Sequence, residues 1–158
     1  MASENNKWLQ LALAPALKLR GFKKSGATWR KETADAIGVL NLQGSQWGPS
    51  FFYINLGVYF RVLGDRDQPP EYHCHVRTRL SELVPDRERL NALLNFEQPV
   101  EDNVRARELE TLVLEHGLPW LDTVSTVEGA REYCSSQAPK SPWVTKEARA
   151  FLEATHGA

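Results

Sequence analysis

The sequence predicts an α+β fold: a four-stranded antiparallel meander sheet with an N-terminal helix and several C-terminal helices. Three observations predict it. Apolar residues recur at helical spacing before Gly21, the period falls to two between about residues 28 and 80, and helical spacing returns from about residue 87. Strands gathered in one block and joined by short connectors favour antiparallel pairing over alternating βαβ units.

From residue 5 to 20, Leu9, Leu13, Ala16 and Leu17 line one side of a helix. Gly21 ends it as a Schellman motif, with Phe22 folding back toward Leu17 while Lys18 and Arg20 suit the negative end of the helix dipole. Pro15 removes a backbone donor inside the helix and predicts a kink. Strands are expected at 28–32, 37–45, 51–62 and 72–80, separated by Thr33-Ala34-Asp35, by Gln46-Trp47-Gly48-Pro49 and by the 64–70 loop. Helices follow at 87–94, at 99–116 with a stop at Gly117, and as a pair across 118–135. A last one begins after Ser141-Pro142, an N-cap with proline at N1. Ser125-x-x-Glu128 reads as a capping box. The chain forms one domain, 1–158, with helix 5–20, a sheet over about 28–80 and a helical part over about 86–155.

Composition narrows the function classes. The apolar and charged fractions, 42% and 25%, are those of an ordinary globular protein, and no apolar run is long enough to span a bilayer. Glu4 before the first apolar stretch and Lys18 after it break the order of a secretion signal, so a cytoplasmic location and no membrane partner are expected. Two cysteines, Cys74 and Cys134, lie outside any CxxC pair and read as reduced core residues. A net charge of −1 argues against nucleic acid, although basic residues lead up to about Arg66 and acidic ones after it.

Alternation sets the register of the central hairpin. If Ser45 faces Phe51, then Gln43 lies opposite Tyr53, Asn41 opposite Asn55 and Val39 opposite Gly57, while Leu42 meets Ile54 and Leu40 meets Leu56 on the other side. The next strand then sets Phe60 by Cys74 and Val58 by Val76 on the aliphatic face. Tyr59 by His75, Gly57 by Arg77 and Asn55 by Arg79 fall on the polar face. Trp29 is free to join either face. A polar side on an antiparallel sheet is ordinary. Paired amides and tyrosines on it are less so, because Asn is disfavoured in strands and Tyr brings area that usually finds a partner. Asn41, Gln43, Tyr53, Asn55, Tyr59, His75, Arg77 and Arg79 are therefore the candidate binding residues.

Reaction chemistry is weakly encoded. On a strand His73 and His75 would point the same way, about 7 Å apart, but no third ligand is marked and two arginines would repel a cation, so no metal is expected. Cys74 would face away from both histidines, which removes a Cys-His nucleophile. Gly44-Ser45-Gln46-Trp47-Gly48 lacks the spacing and context of a nucleophile elbow. No dinucleotide, phosphate-loop or zinc-protease pattern occurs, and neither a catalytic residue nor a cofactor is expected.

Gly21-Phe22-Lys23-Lys24, Asn41-Leu42-Gln43-x-Ser45-x-Trp47, Phe52-Tyr53-Ile54-Asn55-Leu56-Gly57-Val58, the Cys-His-Val stretch and Gly117-Leu118-Pro119-Trp120-Leu121 together resemble the bacterial domain-of-unknown-function family 4304. The resemblance runs from the first helix to about Ser125 and excludes the tail from about Ala138. It implies a small bacterial cytosolic α+β domain and carries over no activity, cofactor or catalytic residue. Two functions fit the polar face. One is a non-catalytic domain that recognises an unknown protein partner, with toxin neutralisation as a setting. The other is a small-molecule or nucleotide-binding domain, an enzyme included, that holds an anionic ligand in a cleft over Gly57.

Overall fold

A computed structural model describes residues 3–136 and 143–154 of the 158. Helix α1 spans Glu4–Leu19, and Ser3 Oγ caps it by accepting the Asn6 N–H. Its buried stripe is Leu9, Leu13, Ala16 and Leu17. The helix runs on through Pro15 and ends in the expected Schellman geometry. Gly21 has φ 89°, its N–H donates to Lys18 O at 3.1 Å, and Phe22 N–H donates to Leu17 O at 3.0 Å.

The sheet has six strands rather than four, all antiparallel, in chain order. They are β1 (Lys23–Ser25), β2 (Thr28–Glu32), β3 (Ala36–Gly44), β4 (Phe52–Phe60), β5 (Val76–Arg79) and β6 (Trp143–Val144). The two added strands are too short to carry a period. β1 is three exposed polar residues turned at Gly26, whose φ of 62° suits glycine, and β6 has two residues. The last expected strand is also corrected. Pro69-Pro70 cannot donate to a ladder, Glu71–His73 makes a 3₁₀ turn instead, and pairing with β4 in β5 begins only at Val76.

The central register follows alternation: Gln43 pairs with Tyr53, Asn41 with Asn55, Leu40 with Leu56 and Val39 with Gly57. Trp29 lies opposite Leu40 and is buried, which assigns it to the core. Leu40, Leu42, Ile54, Leu56, Val58 and Trp29 form that face and pack against helices. α1 contacts β1 and β3, and α4 (Leu118–Val124) crosses β3 and β4 beside Gly38.

The remaining helices are α2 (Arg87–Leu93), α3 (Asp102–Leu112), α5 (Val127–Ser136) and α6 (Lys146–Ala154). Gly117 does not stop a helix: α3 passes through a π turn, Val113–Gly117, straight into α4. Pro119 brings no N–H for the preceding turn, and widening the helix by one residue carries the chain past it. Gly117 lies against the core, where an added Cβ would make ordinary contacts with Leu80 at 3.4 Å and Leu56 at 3.7 Å. The capping box is corrected by one residue, because Ser125 still closes α4 and Thr126 Oγ1 accepts the Gly129 N–H at 3.0 Å. The start expected at Ser141-Pro142 lies outside the described residues. Thr145 Oγ1 caps α6 by accepting the Ala148 N–H. Buried Arg105 ties the α2–α3 connection together by donating to the carbonyls of Ala92, Leu93, Asn95 and Gln98. Among the described residues no helix is long and apolar enough to cross a membrane.

Candidate functional site: the polar face of the sheet

Cross-strand partners on the face away from the helices fall into rows. One row runs Ser25, Thr28, Asn41, Asn55, Arg79. The next runs Lys23, Arg30, Val39, Gly57, Arg77, Trp143. A third holds Glu32, Ile37 and Tyr59, and Gln43 with Tyr53 lies at the opposite end.

Residues 61–74, the crossover from β4 to β5, fold over the third row and the middle of the second. Arg66 N–H donates to Tyr59 Oη at 3.2 Å and Arg30 Nε–H donates to Pro69 O at 2.9 Å. Cys74 drops into the space left by Gly57, where an added Cβ would meet Cys74 Cβ at 2.7 Å. Ile37, Val39, Tyr59 and Cys74 thus make a second, smaller core on the sheet's far side. Three expectations are corrected here. Cys74 is buried, but against Gly57 rather than beside Phe60, and burial pushes its thiol pKa up. Tyr59 is 4% exposed and cannot meet a partner.

His75 is the third correction. It is buried, its Nδ1 accepts the Phe60 N–H at 2.9 Å, and its ring lies against Tyr59 and Phe60 at centroid distances of 4.6 and 6.3 Å. Its carbonyl accepts the Thr145 N–H, which anchors the chain entering α6. Burial lowers its pKa, opposed by Glu147. His73 is exposed in the 3₁₀ turn, so the two histidines do not share a strand face.

The uncovered half keeps the other candidates together. Asn41 Nδ2 donates to Thr28 Oγ1 at 2.9 Å, Asn55 Nδ2 to Gln43 Oε1 at 2.8 Å and to Asn41 Oδ1 at 3.4 Å, and Arg79 Nε to Asn55 Oδ1 at 3.1 Å. The amides that looked out of place in strands are therefore a ladder that satisfies itself across β2 to β5. Asn55 lies buried at its centre. Above the ladder, exposed Arg79 stacks over Tyr53, with its guanidinium carbon 4.2 Å from the ring centre. Arg77 lies 4.9 Å over Trp143, which is 69% exposed. Such pairs hold a guanidinium flat on an aromatic platform.

Sequence reasoning missed Thr28, Glu71 and Trp143. Glu71 is buried and takes Arg77 in a two-pronged ion pair, Nε to Oε1 at 2.9 Å and Nη2 to Oε2 at 3.1 Å. Its place in a 3₁₀ turn leaves no period by which to find it. Trp143 reaches the face only because β6 returns from the far end of the chain. A cavity of about 500 Å³ between α5 and α6, beside Cys134, Arg149 and Leu152, contains none of the candidate residues.

The model of a domain of unknown function, DUF4304, matches residues 13–123. No curated protein and no solved structure matches the chain. The matched stretch takes in the C-terminal part of α1, strands β1 to β5, helices α2 and α3 and all but the last residue of α4, and it is well over half of the 158 residues. The chain belongs to the DUF4304 family of domains of unknown function.

Proposed function

We propose that this domain is a non-catalytic recognition module that engages a partner protein through the uncovered half of its polar sheet face. The observation that carries the reading is the pair of arginine-on-aromatic stacks, Arg79 on Tyr53 and Arg77 on Trp143, side by side on an open surface. Tyr, Trp and Arg are the residues that anchor protein interfaces, and the two guanidiniums are already held, Arg79 by the Asn55 amide and Arg77 by Glu71, so little entropy is lost in them on binding. The competing small-ligand reading needs a cleft over Gly57 with converging arginines. Cys74 occupies that space, and Arg77 is turned into Glu71. Two free cysteines suit a reducing compartment, and we read the module as cytosolic.

The test compares Tyr53→Ala and Trp143→Ala with Lys7→Ala, an exposed change on α1. Retention of the partner from the producing cell's extract on immobilised protein should fall at least tenfold for the first two and not for the third, with thermal melts unchanged within a few degrees. Equal retention by all three folded variants would refute the reading.

A further inference from the structure

The uncovered half carries charge that the protein does not itself neutralise. Lys23, Arg30 and Arg79 lie on this face, and none forms an ion pair among the described residues. Their partners are neutral: Arg30 donates to the Pro69 carbonyl, and Arg79 uses one N–H on the Asn55 amide and its plane on Tyr53. Glu32 within the rows pairs with Arg61 and Glu71 in the crossover pairs with Arg77, while Asp65 and Asp67 in the same crossover are exposed and pair with none of these three cations among the described residues. Yet the chain as a whole has net charge −1, so its negative excess lies elsewhere. A charge separation of this kind selects partners by sign.

The ends of Arg79's fork that are not spent on Asn55 suit a carboxylate, which a planar guanidinium grips better than an ammonium does. Arg30 and Arg79 stand three strands apart, about 14 Å at the usual spacing of about 4.8 Å per strand. A polyanionic nucleic acid would meet three cations on a chain that is acidic overall, too few for a phosphate-tracking stripe.

Resting on the recognition reading above, we propose that the partner presents an acidic protein surface. It carries Asp or Glu clusters, with one carboxylate seated on Arg79 and others reaching Arg30 and Lys23.

The test places a photo-crosslinking side chain at Ser25, which is exposed at the end of the Asn41–Asn55–Arg79 row and outside its hydrogen bonds, with Lys7 as the control position. Adducts formed in the producing cell are digested and sequenced. The expected adduct is specific to position 25 and contains a partner peptide of net negative charge. Its yield should fall at least fivefold between 0.1 and 0.5 M NaCl, and at least fivefold in Arg79→Glu whose circular dichroism is unchanged. Reversing an acidic residue of the crosslinked peptide to Lys should restore the yield in that variant. A neutral or basic peptide, or a yield indifferent to salt, overturns the acidic partner and leaves the recognition reading standing. A nuclease-sensitive adduct overturns the choice of protein over nucleic acid. Absence of any position-specific adduct overturns both readings.

Discussion

Asn55 makes three side-chain hydrogen bonds from a buried position, to Gln43, Asn41 and Arg79. Asn55→Ala strands three polar partners at once and should cost about 1–3 kcal/mol in urea unfolding. Asn55→Asp tests the ladder's direction, because it loses both amide donors while keeping the acceptor for Arg79. His75 gives a pH signature. Its folded pKa is lowered by burial from the ordinary 6.5, so the neutral form is favoured in the folded state. Stability is then fully present above about 6.5 and declines as pH falls from there toward the folded pKa. Nδ1 must also stay unprotonated to accept the Phe60 N–H. The urea midpoint should fall between pH 7.5 and 5.5 in the wild type, and His75→Gln should flatten that slope. The pairing of Asn41 with Asn55 and of Gly57 with Arg77 was legible because hydrophobic alternation fixes which side chains share a face. The fates of Tyr59 and His75 were not, since alternation assigns a face without saying what covers it.

At the scale of elements, the 61–74 crossover is held at a few points, and Tyr59 is one of them. A Cβ at Gly64 would come within 1.9 Å of Tyr59 Oη. Gly64→Ala should therefore unseat the crossover while leaving the helical core folded. Trypsin cleavage after Arg66 should speed up by about tenfold, which corresponds to about 1.4 kcal/mol of local opening. An unchanged cleavage rate would mean that the crossover is held by its other contacts. Helices and long strands were readable because their periods extend over many residues. Those features that depend on a distant partner were not. The π turn at Val113–Gly117 answers to Pro119, and β6 needs β5 to pair with. Thr126, not Ser125, caps α5 because α4 runs one residue further than capping chemistry alone suggests.

For the whole molecule, neighbouring positions on β4 report on two different layers. Leu56 points to the helices and is fully buried, so Leu56→Ala should cost about 2–5 kcal/mol through the cavity it leaves. Gly57 points the other way, and Gly57→Ala would press on Cys74 at 2.7 Å, costing about 1–3 kcal/mol by overpacking. Cys74→Gly in that background should recover most of the loss, whereas it should do nothing for Leu56→Ala. Calorimetry of the four proteins decides whether the layers are separate, because independent sites add and coupled ones do not.

The crossover leaves β4 and returns as β5, and these two strands are hydrogen-bonded to each other. Both of its ends are thus pinned side by side on the same part of the sheet, whatever length of chain runs between them. Closing a longer loop costs only about 0.6 kcal/mol per doubling of its length. The segment behaves as a visor on a fixed hinge: lengthening it extends the shade toward Asn55 and Arg79, and trimming it bares Ile37 and Val39. Changes of length beyond Leu63, the one crossover residue that packs against the main core, would retune how much of the sheet meets other molecules while leaving the helical layer in place.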